Sequence, residues 1–263
     1  MEKAPDICSY FHSWHWASPS HAALCEILSQ NITNPIFWDN DCKTFYKTRH
    51  KEVKIYQPDA AICDFRVAIK NYHEKRFWRY FMRPSLALRE AIAIDIVRKL
   101  GIPAVEVISY GEIRKRLWLR QAYFVTRFEE NTSSLQDFAY GHSLEQQREK
   151  LLSLLQKNMV FLARLHNAGY MHGGSFAKNF IWRTNADNST ELIWLDLATV
   201  KKTNWLNRGK SIRLDVTAML DCFKLTQEEL DSLADIYNKN CQTHIRIEKK
   251  EGSEHNFCIC RLK

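Results

Sequence analysis

Glycine is absent from the first 100 residues of this 263-residue chain; the first of its 8 glycines is Gly101. That excludes a glycine-rich turn from the amino-terminal half, where backbone N–H groups would otherwise close tightly on a ligand phosphate. Long apolar runs are also missing: stretches such as Ala91 to Ile94 fall far short of the roughly 20 residues a bilayer span needs. The opening MEKAPDICSYFHSWHW lacks the charged start, apolar stretch and small-residue cleavage site of a secretory signal, so a cytoplasmic location is expected. The 8 cysteines (Cys8, Cys25, Cys42, Cys63, Cys222, Cys241, Cys258 and Cys260) show no regular disulfide spacing and read as free thiols. Cys258-x-Cys260, His12 and His15 lack a second ligand pair at zinc-finger spacing, so no zinc site is expected. What is present is the composition of a folded protein, 45% hydrophobic and 26% charged. Lys and Arg (38) outnumber Asp and Glu (30), giving a net charge of +8 and a basic surface. No zinc-finger, RNP or helix-turn-helix signature accompanies the charge, which argues against a nucleic-acid partner.

The polar stretch Glu129 to Ser134 and the loop at Gly141-His142-Ser143 divide the chain near its midpoint. The expected domains are therefore 1–130 and 131–263, with residues before about 30 as an extension of the first. Before the divide, runs rich in β-branched and aromatic residues predict strands at Thr44–Lys47, Glu52–Tyr56, Phe65–Tyr72, Val105–Tyr110 and Ala122–Phe128. One helix interrupts them, starting near Ser85 after Pro84 and stopping at Gly101. Leu86, Ala93, Val97 and Leu100 share a face of it, and Glu90 lies in the same stripe. A carboxylate there either pairs with a basic residue of the neighbouring sheet or sits on a helix rotated to reach water. After the divide, Leu144, Leu151, Leu155, Met159, Leu162 and Leu165 predict one long helix from about Leu144 to Asn167, ended by Gly169. A loop Met171–Lys178 and strands at Asn179–Arg183 and Leu192–Leu195 follow, and the remainder reads as helices with a polar tail.

Four features fall in a telling order: Lys70 ending the strand Val67-Ala68-Ile69-Lys70, Glu90 on the next helix, a loop from His172 to Asn179, and Asp196 after a strand. This is the element order of a protein-kinase-like fold, an α+β bilobal architecture with a small antiparallel β-sheet N-lobe and a mainly helical C-lobe. In such folds the strand lysine holds nucleotide phosphates and is oriented by the helix glutamate, while the later aspartate and the loop asparagine hold Mg²⁺. Lys70, Glu90, Asn179 and Asp196 fit those roles. His172 reads as a brace for its loop rather than a catalytic group.

The surrounding segments resemble the Kdo/WaaP family of lipopolysaccharide kinases. The likeness rests on VAIK around Lys70, FWRYFMRPSLALREA (Phe77–Ala91), KLGIPAVEVISYG (Lys99–Gly111), LARLHNAGYMHGGSFAKNF (Leu162–Phe180) and LIWLDLATVKK (Leu192–Lys202), within about residues 45 to 220. It implies Mg-ATP bound in the cleft and, as acceptor, a hydroxyl of a Kdo or heptose sugar in the lipopolysaccharide inner core. It also implies peripheral association with the inner face of the inner membrane. Asp215, in Arg213–Leu220, resembles the family's aspartate that opens a C-lobe helix and steadies the catalytic loop. The FWRYFMRPSLALREA stretch argues against a kinase of aminoglycosides or choline, which shares the element order.

Two departures stand against this pattern. The loop reads His172-Gly173-Gly174-Ser175-Phe176-Ala177-Lys178-Asn179, so Gly174 occupies the position of the aspartate that accepts the acceptor hydroxyl's proton. That proton would leave through water, through a neighbour such as Ser175, or through an acid from elsewhere. The glycine loop is missing as well. The rival expectation is a catalytically impaired pseudokinase serving as a glycolipid- or protein-binding module. Lys75–Arg83 (KRFWRYFMR) packs four cations and five large apolar side chains into nine residues, and Arg114–Arg120 adds a second basic cluster. Such composition suits an anionic membrane surface or an acidic glycolipid.

Overall fold

Strand alternation gives the first sheet two apolar faces, and helices cover both. The structure, a computed structural model, describes residues 10–16, 21–49, 51–73, 80–115, 117–140, 145–249 and 257–261. The chain divides into two units, residues 1–94 with 105–130 and residues 95–104 with 131–263.

The first unit runs β1 (Tyr10–Trp16), α1 (Ala22–Asn31), α2 (Pro35–Asn40), β2 (Cys42–Lys47), β3 (Lys51–Tyr56), β4 (Val67–His73), α3 (Leu86–Lys99, whose residues from Asp95 on count with the second unit), β5 (Val107–Lys115) and β6 (Trp118–Arg127). Its strands form one antiparallel sheet in the order β1-β5-β6-β4-β3-β2. Val67, Ile69, Tyr123 and Val125 share a core with Leu24, Leu28, Ile32, Phe37 and Trp38 of the α1–α2 segment. Side chains one residue along the strands point to the other face. Lys70 and Phe124 are register partners there, and the Lys70 ammonium lies 5.5 Å from the Phe124 ring centre.

The expectation of a single helix in this region is corrected: α1 and α2 precede the first expected strand, and β1 extends the sheet at its edge. Leu24, Cys25 and Leu28 are the buried stripe of α1. The six residues of α2 are too few to show a helical period, although Asn34 and Pro35 carry its start signal: Ile36 N–H donates to Asn34 Oδ1 at 3.0 Å.

Helix α3 begins and ends where its sequence signals lie. Leu88 N–H donates to Ser85 Oγ at 3.2 Å, and Ser85 N–H donates to the Glu112 carboxylate at 2.7 Å. At the other end Gly101, with φ +70°, donates to the Arg98 carbonyl, and Ile102 donates to the Val97 carbonyl. That pair of bonds is a Schellman closure, which needs a left-handed residue at the glycine position.

In the second unit come β7 (Ser133–Ser134), α4 (Asp137–Tyr140), α5 (Glu145–Asn167), β8 (Tyr170–Met171), β9 (Phe180–Thr184), β10 (Thr190–Trp194) and β11 (Lys201–Lys202). They are followed by α6 (Arg208–Leu220), α7 (Gln227–Asn240), β12 (Ile245–Lys249) and β13 (Phe257–Arg261). Leu151, Leu155, Met159, Leu162 and Leu165 of α5 are buried, as their spacing predicts, while Leu144 lies outside the described residues. The expected linker supplies β7, which pairs with β9. The expected helical remainder is also corrected: α6 and α7 are followed by the hairpin β12–β13, with Ile245, Ile247 and Ile259 buried. Its edge is held by amide side chains of α7. Lys249 N–H donates to Gln227 Oε1, and Ile245 N–H donates to Asn238 Oδ1, each at 2.8 Å.

Helix α7 opens on a capping box. Glu229 N–H donates to Thr226 Oγ1, Thr226 N–H donates to the Glu229 carboxylate, and Arg148 of α5 makes a two-pronged pair with the same carboxylate. Thr226→Ala should therefore lower the unfolding free energy by about 1 kcal/mol in urea titration, whereas Thr226→Asn, an equally good cap, should leave it nearly unchanged.

Candidate active site

In the first unit, Lys70 and Glu90 meet. Lys70 Nζ donates to Glu90 Oε1 at 2.5 Å, and the Tyr72 hydroxyl donates to Glu90 Oε2 at 2.5 Å. Glu90 is buried, and of the two arrangements open from sequence it takes the one with a sheet cation as partner. Lys70 and Tyr72 share a strand face two residues apart, so β4 supplies both donors to one carboxylate. A buried carboxylate held at both oxygens fixes the ammonium's position, which is what a phosphate-binding lysine requires. Tyr72 was not singled out from sequence, because an aromatic in a strand reads first as packing.

In the second unit, the loop after β8 is hung on Asp215 of α6. His172 N–H donates to Asp215 Oδ2 at 2.6 Å and Gly173 N–H to Oδ1 at 2.8 Å. His166 Nε2 lies 3.1 Å from Oδ2, its Nδ1 lies 2.8 Å from the Tyr237 hydroxyl, and the Cys241 thiol donates to that hydroxyl. The partners fix the roles: Nε2–H donates to the carboxylate, and Nδ1 accepts from Tyr237. Burial pushes the Asp215 carboxyl up, but the hydrogen bonds from the His166 ring and the His172 backbone N–H hold it down, so its pKa lies below the usual carboxylate value.

His172 is fully buried between Phe180 and Trp194, with ring centres 5.5 Å and 5.1 Å away. Neither of its ring nitrogens has a hydrogen-bond partner among the described residues. The ring packs against both aromatics. Ser175, one of the expected proton routes, is buried as well and donates its hydroxyl to the Asp215 carbonyl at 2.6 Å.

Asn179 and Asp196 flank the β9–β10 hairpin. Phe180 pairs with Trp194, and Leu195 N–H donates to the Asn179 carbonyl at 2.8 Å. The Asn179 Nδ2 donates to the Gly174 carbonyl at 2.7 Å, which turns its amide nitrogen into the loop, so that Oδ1 is the atom that could serve a cation. Asp196 has φ +53° and ψ 54°, a left-handed conformation costly for a residue with a Cβ. Strain of this kind concentrates at working sites. An aspartate and an asparagine fit Mg²⁺, which takes few protein oxygens and fills its octahedron with water and phosphate. No group of three or more His, Cys, Asp or Glu able to cage a metal is present among the described residues. His12 and Cys258, weak ligand candidates from sequence, have no described side chains, and the His15 ring stacks on Tyr110.

An antiparallel sheet whose lysine pairs with a helix glutamate, and a histidine loop tied to a buried aspartate, define a protein-kinase-like fold. The sequence profile described as "Lipopolysaccharide kinase (Kdo/WaaP) family" matches residues 60–237, more than half of the chain, and the chain belongs to that family. Among solved structures it is similar to "WaaP in complex with acyl carrier protein", at 16% identity and a TM-score of 0.60, covering 86% of this chain and 89% of that one. A Mycobacterium tuberculosis PknI kinase domain aligns at 15% identity and a TM-score of 0.40, covering 62% of this chain and 60% of that one. No curated protein matches the chain.

The basic clusters are only partly described. Residues 75–79 and Arg116 lie outside the described residues. Arg114 is a structural cation: its guanidinium binds Glu112 and donates to the carbonyls of Tyr80, Arg83 and Leu117.

Burial holds the His172 pKa down at about 4, against 6.5 for a free histidine, with the charges of Asp215 and Asp196 only partly opposing it. A folded pKa below the unfolded one contributes stability above pH 6.5 that is lost as pH falls to 4. That loss amounts to about 3 kcal/mol from this one residue. Asp215, also depressed, adds loss of the same sign at still lower pH. Urea denaturation between pH 7 and 4 should show the unfolding free energy falling with pH, and His172→Phe should remove most of the slope in that window. An unchanged slope would mean that other groups govern acid sensitivity.

Proposed function

We propose that this chain is an ATP-dependent phosphotransferase of the lipopolysaccharide inner core, transferring the γ-phosphoryl group to a hydroxyl of a Kdo or heptose sugar. The observation that carries this reading is the Lys70–Glu90 pair, a cation held at 2.5 Å by a fully buried carboxylate with Tyr72 as second donor. Family membership supports the same chemistry. Lys70 neutralises nucleotide phosphates, Glu90 orients Lys70, and Asn179 with Asp196 supply oxygen ligands to Mg²⁺. When bound, the ion spreads charge away from the transferring group. Phosphoryl transfer depends chiefly on positioning and charge stabilisation, so loss of the base at Gly174 slows the reaction without removing its main machinery. A second reading, a silent relative that binds a glycolipid or a protein, is favoured by Gly174 and by the absence of glycine before Gly101.

The enzyme is proposed to work at the cytoplasmic face of the inner membrane as a peripheral protein. No helix among the described residues is long and apolar enough to cross a membrane. Phe81, Met82 and Leu117 are exposed at 41%, 73% and 50% beside exposed Arg83 and Arg120, an apolar and cationic surface suited to anionic headgroups.

Transfer of labelled γ-phosphate from ATP to an inner-core glycolipid extract tests the activity. Lys70→Met and Asp196→Asn should each lower transfer by about 100-fold or more while the proteins remain folded; wild-type transfer no greater than that of Asp196→Asn would leave the silent reading. In flotation with vesicles containing anionic lipid, Phe81→Ser/Leu117→Ser should bind more weakly than wild type, and both should detach as salt is raised. Equal flotation would place the membrane contact elsewhere.

A further inference from the structure

A side chain cannot be added at Gly173 or Gly174 without meeting Thr199. At Gly173, where φ is +71°, a Cβ would lie 2.9 Å from the Thr199 carbonyl oxygen. At Gly174 a Cβ would lie 2.9 Å from Thr199 Oγ1, with Thr199 Cβ and Cγ2 at 3.8 and 3.9 Å. Both oxygens are closer than carbon packs against oxygen. The backbone of Thr199 thus holds the first position to glycine, whereas at the second the Thr199 side chain would have to turn aside for a larger residue.

The ladder explains the meeting. β11 pairs with β8 as Lys201 with Met171 and Lys202 with Tyr170, and continuing that antiparallel register by two residues brings Thr199 opposite Gly173. Thr199 closes the 3-10 turn Leu197–Thr199 that follows Asp196, with Val200 N–H donating to the Leu197 carbonyl at 3.0 Å. Its side chain is exposed, and its hydroxyl makes no hydrogen bond to a described residue. The neighbouring hydroxyl of Ser175 is committed to Asp215. At the position where a catalytic carboxylate would branch from the loop, the chain therefore presents one unengaged hydroxyl, three residues from the candidate Mg²⁺ ligand Asp196.

We propose that Thr199 Oγ1 takes over the orienting half of the missing aspartate's work, accepting a hydrogen bond from the acceptor sugar's hydroxyl. This rests on the phosphotransferase reading and specifies how that reading survives the loss of the base. A threonine hydroxyl accepts a hydrogen bond but takes no proton near neutral pH. The acceptor oxygen forms its bond to the γ-phosphorus as the bond from that phosphorus to the β,γ-bridging oxygen breaks, and ADP leaves with the electron pair. The acceptor's proton passes to an oxygen of the transferred phosphoryl group and then to water, so no protein base enters the balance.

The test compares steady-state transfer to the inner-core extract by wild type, Thr199→Val, Thr199→Ser and Gly174→Asp/Thr199→Ala, with melting temperatures to confirm that each is folded. Thr199→Val keeps the shape and loses the hydrogen bond; it should lower kcat by about 10- to 100-fold with the KM for ATP unchanged, and Thr199→Ser should recover most of the rate. The double variant, with a carboxylate in the cleared space, should gain an acidic limb in its pH–rate profile that wild type lacks. A Thr199→Val rate equal to wild type overturns the proposal and leaves the phosphotransferase reading standing. Transfer by the double variant but not by wild type also overturns it, making Thr199 a plug in a site that has lost its base. Transfer by none of the folded proteins removes the phosphotransferase reading, and the proposal with it.

Discussion

The loop that carries the site residues of the second unit depends on one carboxylate. Asp215 is almost wholly buried, and an ionised carboxylate is stable there only if most of its lone pairs are occupied. His172 N–H, Gly173 N–H and the His166 ring occupy them, and Ser175 is tied to the same residue's carbonyl. The dependence is mutual: the backbone N–H groups at the start of the loop have no other acceptor among the described residues, and burial of the carboxylate keeps solvent from replacing them. The path of the chain from His172 to Ser175 is fixed by this, and so is the close approach of Thr199 to the two glycines.

Glu90 obeys the same rule in the first unit. A charge on the apolar face of α3 is tolerated because β4 brings an ammonium and a phenol to it, one to each oxygen. Breaking such a pair from one side leaves the other charge stranded, at a cost of about 3–5 kcal/mol, so sequence change at any of the three positions is felt by the other two. The lysine is thereby held by its partners rather than by its own flexible stem.

Much of this was legible before any coordinates. The start and stop of α3 are written in Pro84, Ser85, Gly101 and Pro103, and the stripe of α5 in leucines at helical spacing, because capping and periodicity are local. Lys70, Glu90, Asn179 and Asp196 are expected at the site from their order and element type, and the structure brings the first two together. The helices α1 and α2 were missed because one carries a stripe of three buried residues and the other is six residues long. The closing hairpin was missed because its alternation is confined to Ile245, Ile247 and Ile259, and its hold on α7 comes from the amides Gln227 and Asn238, which carry no periodic signal.

The partners of Asp215 illustrate the remaining division. His166, Tyr237 and Cys241 are as far as 69 residues from His172 in the loop they support, and nothing in their local sequence singles them out. By itself the sequence determined the kinase-like order of elements, the loss of the carboxylate at Gly174 and the absence of a glycine loop, since each is a matter of which residue stands at which position. Tertiary structure alone decided that Ser175 is committed to Asp215, that the His172 ring packs between Phe180 and Trp194, and that Thr199 fills the space beside Gly174. The first turns on the approach of α6 to the loop, the second on the β9–β10 hairpin, and the third on the pairing of β8 with β11.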